Sequence, residues 1–385
     1  MMRVLVLVAV LAIGGLGSAW AIYAPVDLVD VPVNRIVANL EARLRETPAD
    51  AELHQALARA HAIAYARGES TLRLSRPGFS AKDPKDPPDE RQLASQTSAP
   101  DVRPDVASNP AARGHLDEAL KHYREAVRLY PNSLTAAMGY GWTLAQSGDE
   151  AGAREQYRAV LKGALEQEWY SMAQEAGSCL LPLLSRFSQP IERLQLEVTL
   201  QDLDKKIKER GRMITPIVVP LAAGTPFDDL VARDAAVAFD LDGSGLPHRW
   251  QWITPKAGWL VYQGTGQRRV DSGIRLIGSR TFWIFWPDGY AAMAALDDDA
   301  DGRLTGPELE GLAIWHDPNS NGVVEPGEVR PVAELGIVAL SCAHVPHPQR
   351  FEYSPGGVVF ADGSVRPSYD WIATSVPTKV RLEGR

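Results

Sequence analysis

Oxygen-bearing side chains recur in one frame twice in the last third of the chain. In 297–308 (DDDADGRLTGPE) and in 317–328 (DPNSNGVVEPGE), an acid or amide stands at loop positions one, three and five. Glycine follows at six, an apolar residue at eight and glutamate at twelve. A hard divalent cation of calcium's size takes roughly six to eight oxygens, so a short segment that binds one must bend around a single point. Asp297, Asp299, Asp301 and Glu308 are the side-chain candidates in the first loop, with the backbone carbonyl of Arg303. Asp317, Asn319, Asn321 and Glu328 are those of the second, with the carbonyl of Val323. Gly302 and Gly322 permit the sharp turn that such wrapping needs. Two acidic surface turns would account for the carboxylates. They would not account for glycine, the apolar residue and the distal glutamate returning in the same frame.

This spacing resembles the EF-hand calcium loop, and the resemblance implies Ca2+ as the bound ion. The two loops start twenty residues apart, which suggests a working pair. The first offers four carboxylates; the second offers Asp317 and Glu328 with two neutral amides and Glu325 at position nine. More ligand charge favours tighter binding, so the first loop is expected to be the tighter site. A third, incomplete loop opens with Asp240, Asp242, Ser244 and Gly245 but has Gln251 where the closing glutamate would stand, so it is expected to be a weaker site at best.

The stretch from Phe239 to Leu340 resembles a calcium-binding module found beside RTX repeats in large secreted bacterial proteins. The likeness rests on the order of FDLDGSG (239–245), WITPKAGWLVY (252–262), DGYAAMAALDDDADG (288–302), LAIWHDPNSNG (312–322) and AELGIVAL (333–340). It implies extracytoplasmic calcium binding and brings no enzymatic activity with it. Where relatives of that module carry another acidic loop, this chain has Gln263, Thr265, Gln267 and Arg275. A cation in the closing position repels calcium, so that site is expected to be lost.

The elements that carry these loops follow a helical half. Helical periodicity runs from Asn34 to about Met213, and Pro48 and Pro131 each end one helix three residues before the next begins, at Ala51 and Leu134. Ala119, Tyr123, Ala126 and Pro131 resemble the second helix of the tetratricopeptide repeat. Ala153 and Tyr157 recur thirty-four residues after Ala119 and Tyr123, and Gly141 and Leu144 fit the first-helix pattern between them. The resemblance implies binding of a protein or peptide partner on a concave face, with a packing scaffold as the alternative. Residues 68–112, rich in Pro, Ser and Asp, read as a disordered insertion. A helix near 191–211 is expected to cap the array with a polar outer face.

From Ile214 short β-rich runs alternate with turns, and six tryptophans fall between Trp250 and Trp315. They suggest a compact core, with an aromatic sugar-binding platform as the sharper alternative. The expected fold is therefore α+β and multidomain: an export signal over 1–21, a TPR-like α-helical domain over 22–213, and a small β-rich domain with paired EF-hand-type loops over 214–385. Arg3, the apolar run after it and Ala19-Trp20-Ala21 form that signal, so an exported, periplasmic or extracellular protein is expected. A membrane is a partner only if the segment stays uncleaved. The net charge of −8, without a basic patch, argues against nucleic acid. Cys179 and Cys342 are expected as separate buried thiols. Cys342, His344 and His347 are a remote zinc candidate that lacks a fourth ligand. No GxSxG, HExxH, phosphate-loop or dinucleotide motif is present, so no catalytic residues are assigned and the chain is read as a non-enzyme, with a calcium-dependent hydrolase as the remote alternative.

Overall fold

The computed structural model describes residues 28–31, 33–68, 72–75, 106, 109–210, 213–245, 247–264 and 270–376. The proposed export signal and most of the proline-rich stretch lie outside the described residues. Within the expected insertion, β2 (Leu72–Ser75) pairs antiparallel with β1 (Leu28–Val31), and the following helix begins at Pro110.

Among the described residues the first half has seven helices: α1 (Val33–Glu46), α2 (Ala51–Arg67), α3 (Pro110–Leu129), α4 (Leu134–Ser147), α5 (Glu150–Glu166), α6 (Tyr170–Leu180) and α7 (Pro190–Arg210). Their starts are written locally. Asp50, Asn109, Ser133 and Asp149 each accept backbone N–H bonds at a helix start, satisfying donors that the first turn leaves over. Gly68 and Gly148 end α2 and α4 in left-handed conformations, φ +67° and +90°. Each helix packs on the next in sequence. Ala119, Tyr123 and Ala126 on α3 and Ala153 and Tyr157 on α5 are all buried. The contacts with α4 are close: a Cβ on Gly139 would stand 2.2 Å from the Tyr123 ring, and one on Gly141 would stand 2.9 Å from Tyr157.

The last helix departs from the expected polar cap. Leu196 and Leu203 face inward, but Ile191, Leu194 and Val198 are exposed. Apolar residues recur on both sides of α7, so a count of its charged residues misjudges its outer face.

The second half is strand-rich, which gives the molecule an α+β, two-part layout. The strands are β3 (Met213–Ile214), β4 (Ile217–Pro220), β5 (Val231–Phe239), β6 (His248–Ile253), β7 (Ala257–Tyr262), β8 (Arg303–Thr305), β9 (Leu312–Trp315), β10 (Val329–Pro331), β11 (Ile337–Ser341), β12 (Val345–Pro346), β13 (Glu352–Phe360), β14 (Val365–Asp370) and β15 (Ala373–Thr374). An antiparallel sheet runs β10-β9-β7-β4-β14-β13-β11-β8, with β12 on the side of β13; β5-β6 and β3-β15 are separate ribbons. A short helix, α8 (Gly289–Ala294), precedes the first acidic loop.

Strand alternation sends side chains to two different cores. Ile217, Val219, Leu260 and Ile314 join one; Val218, Trp259, Val261, Ala313 and Trp315 join the other with Trp250 and Trp252 of the β5-β6 ribbon. Trp250, Trp252, Trp259 and Trp315 are fully buried. This excludes them as a surface sugar platform and makes them the interior of the domain. The first core also contains Val33, Ile36 and Leu40 of α1 and Leu53, Leu57 and Ile63 of α2. Helices α1 and α2 thus cover a face of the sheet, and the hydrophobic interior crosses the boundary drawn near residue 213.

Candidate metal centre

The first loop leaves α8 and ends in the short turn Gly306–Leu309. Ala300 at position four and Gly302 at position six take left-handed φ of +59° and +83°, curling the backbone around the Asp297 carboxylate. Asp297 Oδ2 accepts the Gly302 N–H at 2.9 Å. Glu308 is folded back by its own turn: Oε2 accepts the Thr305 N–H at 2.8 Å and Oε1 accepts the Asp298 N–H at 2.6 Å. The Asp299 and Asp301 carboxylates accept the backbone N–H groups two residues on, while Arg303 opens β8 opposite Ser341. One oxygen each from Asp297, Asp299 and Glu308 lie within 4.8 Å of one another, the one acidic group of this kind among the described residues. Asp297 is only 6% exposed and its Oδ1 has no hydrogen-bond donor. Burial, with Glu308 adding to it, pushes the Asp297 carboxyl above its ordinary pKa.

Helix α1 holds this loop from outside. Arg35 Nε donates to Asp298 Oδ1 at 2.7 Å and its Nη2 to Leu296 O; Asn39 Nδ2 donates to the same Asp298 oxygen at 2.8 Å and to Ala295 O. These bonds hold the Asp298 carboxyl below its usual range despite partial burial. Sequence reading missed both residues. Their spacing of four on one helix face is the only signal they leave.

The second loop joins β9 to β10. It has the same curl, with Ser320 at φ +53° and Gly322 at +69°. Asp317 Oδ2 accepts the Gly322 N–H at 2.9 Å, the counterpart of the Asp297 bond, and also the Trp252 Nε1–H at 2.8 Å; Oδ1 accepts the Asn321 N–H. Glu328 Oε2 accepts from Glu325 N and, at 3.3 Å, from Trp315 Nε1, while its buried Oε1 has no donor. The amides of Asn319 and Asn321 both reach the Glu325 carboxylate. Val323 donates its N–H to Asn321 Oδ1, and its side chain is exposed. The tryptophan donors were not foreseen, because indole N–H groups from distant strands leave no local signature.

The two loops are not joined as a pair. The first runs into β8 and the second into β10, which stand at opposite ends of the sheet order, and no ladder links them. Twenty residues of spacing leave room for β9, which carries the chain across the sheet. The second loop instead abuts the β5-β6 ribbon. A Cβ on Gly322 would stand 2.7 Å from Val237 and 2.9 Å from the Ala238 carbonyl oxygen.

The incomplete loop between β5 and β6 keeps the first half of the frame. Gly243 and Gly245 take φ of +71° and +84°, and Asp240 Oδ1 accepts the Gly245 N–H at 2.9 Å. Asp242 Oδ1 accepts from Ser244 N, and Ser272 Oγ donates to Asp240 Oδ2 at 2.7 Å. No carboxylate returns at position twelve. Gln251 lies in β6, where its Oε1 accepts the Thr374 N–H. Arg275 is buried in a short turn, and residues 265–269 of the region read as a lost site lie outside the described residues. The trio of Cys342, His344 and His347 does not converge: His344 stacks on Tyr290 and His347 on Phe351. Neither cysteine is in a disulfide; Cys179 is only partly buried, and burial pushes the Cys342 thiol up to about 12.

Between the helices and the strand-rich half lies a cleft of about 730 Å³, with Glu52, Arg59, Tyr123, Trp142, Arg280 and Trp283 among its walls. One wall is the turn Thr281–Trp286, in which Phe282, Trp283 and Phe285 all have φ near +60°, a conformation that costs non-glycine residues about 1 kcal/mol or more each. Buried Arg59 of α2 donates to Trp283 O at 2.8 Å and lies over the Phe285 ring. Among the described residues no helix is long and apolar enough to cross a membrane.

Residues 227–368 match the SPM domain. The matched stretch begins at the 3-10 turn before β5, ends within β14 and includes all three loops. The chain is also similar to part of the Iron-regulated protein FrpA of Neisseria meningitidis serogroup C. The two are 30% identical over 148 residues, covering 37% of this chain and 13% of FrpA. The chain thus spans a small part of that relative's length.

Proposed function

We propose that the SPM-matching half is a calcium-braced domain and that the helical half holds it and offers a binding face to a protein or peptide partner. One observation carries the calcium reading: Asp297 Oδ1 and Glu328 Oε1 are carboxylate oxygens buried without a donor, each inside a loop that curls around it. A buried carboxylate without a partner is strongly disfavoured, and a cation relieves it. The donor set suits the ion. Every converging side-chain atom is oxygen, which favours a hard cation over zinc or copper. Asp297, Asp299, Asp301 and Glu308, with the Arg303 carbonyl, would hold one ion. Asp317, Asn319, Asn321 and Glu328, with the Val323 carbonyl, would hold a second. Asp240, Asp242 and Ser244 would make at most a weak third site.

A brace is favoured over a switch. The segment between the two loops contains β9, a strand in the middle of the hydrophobic interior, whereas calcium sensors open long helices on binding. Bacterial export and an extracytoplasmic setting belong to the same proposal, because extracellular calcium reaches the range in which such modules fill, roughly 10⁻⁴–10⁻³ M. An adaptor whose calcium sites are purely structural is the second reading. It is favoured by the cleft of about 730 Å³ that Glu52, Tyr123 and Trp142 of the helices help to wall.

The test is a calcium titration of the full chain by calorimetry, with melts in EGTA and in calcium. Two binding events and a higher melting temperature in calcium are expected. No heat and no shift would end the calcium reading.

A further inference from the structure

The outer face of α7 carries an apolar row that no described residue covers. Ile191, Leu194 and Val198 are 72%, 62% and 59% exposed, and Phe187, one turn before Ile191, is 97% exposed. Steps of four, three and four residues line side chains up on one side of a helix, the seam by which helices pair. Phe187 belongs to the turn that leads into α7, where Gln189 donates its N–H to Ser185 O at 3.0 Å. Single exposed apolar side chains are ordinary on a protein surface; a row of four marks a face that meets something.

The helix cannot turn to hide this row. Its other side, with Leu196 and Leu203 buried, lies on α6 so closely that a Cβ on Gly177 would stand 2.8 Å from Leu200 Cδ2 and 3.1 Å from Leu196 Cδ1. Arg158 of α5 forks onto both Glu192 oxygens at 2.6 and 3.0 Å, and Arg193 Nη1 donates to Leu181 O at 2.6 Å. What fits the row is the row itself. Its spacing reads the same in both directions, so an antiparallel copy sets Ile191 beside Leu194 of the partner subunit and Phe187 beside Val198 of the partner subunit. Among the described residues the other exposed large apolar side chains of the helical half, Tyr130, Leu165 and Trp169, stand at the ends of three different helices. No large apolar side chain of α1 or α2 is exposed there, so a head-to-tail stack finds no matching face. The rim agrees. From Ile191 to Val198 the flanking positions are Pro190, Gln195, Glu197 and Gln201; Glu197 alone is charged, and Arg193 pairs with it at 3.2 Å. Like charges do not meet across a two-fold axis, and flanks without Lys or Arg do not suit an anionic lipid surface.

We propose that α7 is the interface of a two-fold dimer, in which Phe187, Ile191, Leu194 and Val198 of two copies interleave antiparallel. Beyond Val198 the same line turns polar at Asp202 and Lys205, which confines the contact to residues 187–198, about 18 Å of helix. That is the low end of specific interfaces, so the dimer is reversible, with a Kd on the order of 10 μM. No acidic loop takes part, so the dimer does not rest on the calcium reading and should not respond to the ion.

The test is sedimentation equilibrium of the full chain from about 1 to 200 μM, in EGTA and in calcium. The mass should rise from one chain to two across that range, alike in both. I191E and L194K should each raise the Kd at least tenfold, with melting temperatures as in the parent because both side chains are exposed. An equimolar mixture of the two variants should pair at least tenfold more tightly than either alone, since the antiparallel register sets the acid of one chain beside the base of the other. A parent that stays monomeric throughout, as it would if another segment of the chain covered the row, overturns the proposal. So does a dimer that neither variant weakens, and a mixture that pairs no better than its components overturns the antiparallel register.

Discussion

The first and second acidic loops share a backbone and differ in what surrounds it. Both place positions four and six in the left-handed region, and both bond the first aspartate to the glycine at six. The first is clasped from outside by Arg35 and Asn39, and its leading carboxylate keeps one oxygen without a donor. The second is set into the tryptophan core, and its leading carboxylate accepts three N–H groups, one from Trp252. Loop sequence sets the curl. The surroundings decide whether the carboxylate is held by the protein or left needing a cation. Asp317 should therefore matter with or without calcium, and Asp297 chiefly with it.

The largest effect that could break this contrast is D317A. It leaves the Gly322 N–H and the Trp252 indole without an acceptor in a buried place, and should cost roughly 3 kcal/mol in urea unfolding, in EGTA as in calcium. Equal stability in EGTA would mean that the second loop is held by its ion after all. Next come the glycines. G322A places a Cβ against Val237 and the Ala238 carbonyl at positive φ and should cost about 2 kcal/mol or more, whereas G302A meets open space and should cost about 1 kcal/mol. Melts of the two variants in EGTA compare them directly.

Third, E308Q should abolish the calcium-dependent part of stability contributed by the first loop, about 1.4 kcal/mol at ten times Kd, and lower the EGTA baseline by about 1 kcal/mol, because an NH2 would face one of the two backbone N–H groups that Glu308 now accepts. A calcium shift as large as the parent's would move the tighter site to the second loop. The smallest effect is R35A. Its ion pair with Asp298 is partly exposed, so a loss below about 1 kcal/mol is expected. A double-mutant cycle with D298N, measured with and without calcium, would show whether the clasp couples α1 to the ion.

Local features of the molecule could be read from the chain. Proline register marked the starts of α2 and α4 at Ala51 and Leu134, and the acid-glycine frame marked loops that do curl at Gly302 and Gly322. These are short-range properties, fixed by caps, φ angles and neighbouring side chains. What the sequence hid is long-range. The supposed pairing of the loops failed because β9 crosses the sheet between them. The polar cap failed because α7 exposes Ile191, Leu194 and Val198. Arg35 reaching Asp298, Trp252 reaching Asp317 and His54 meeting His122 join residues 263, 65 and 68 positions apart, and no periodicity in one segment reports a partner so distant.

The interior shared by α1, α2 and the sheet has a consequence in time. Synthesis proceeds at about 5–20 residues per second, so the 263 residues from Arg35 to Asp298 take roughly 13–53 s to appear. Throughout that interval Ile36, Leu40, Leu57 and Ile63 have no sheet to cover them. The nascent helices must wait, sticky and half-finished, for strands not yet made, and a holding chaperone that shields α1 and α2 would act on this protein before any ion could.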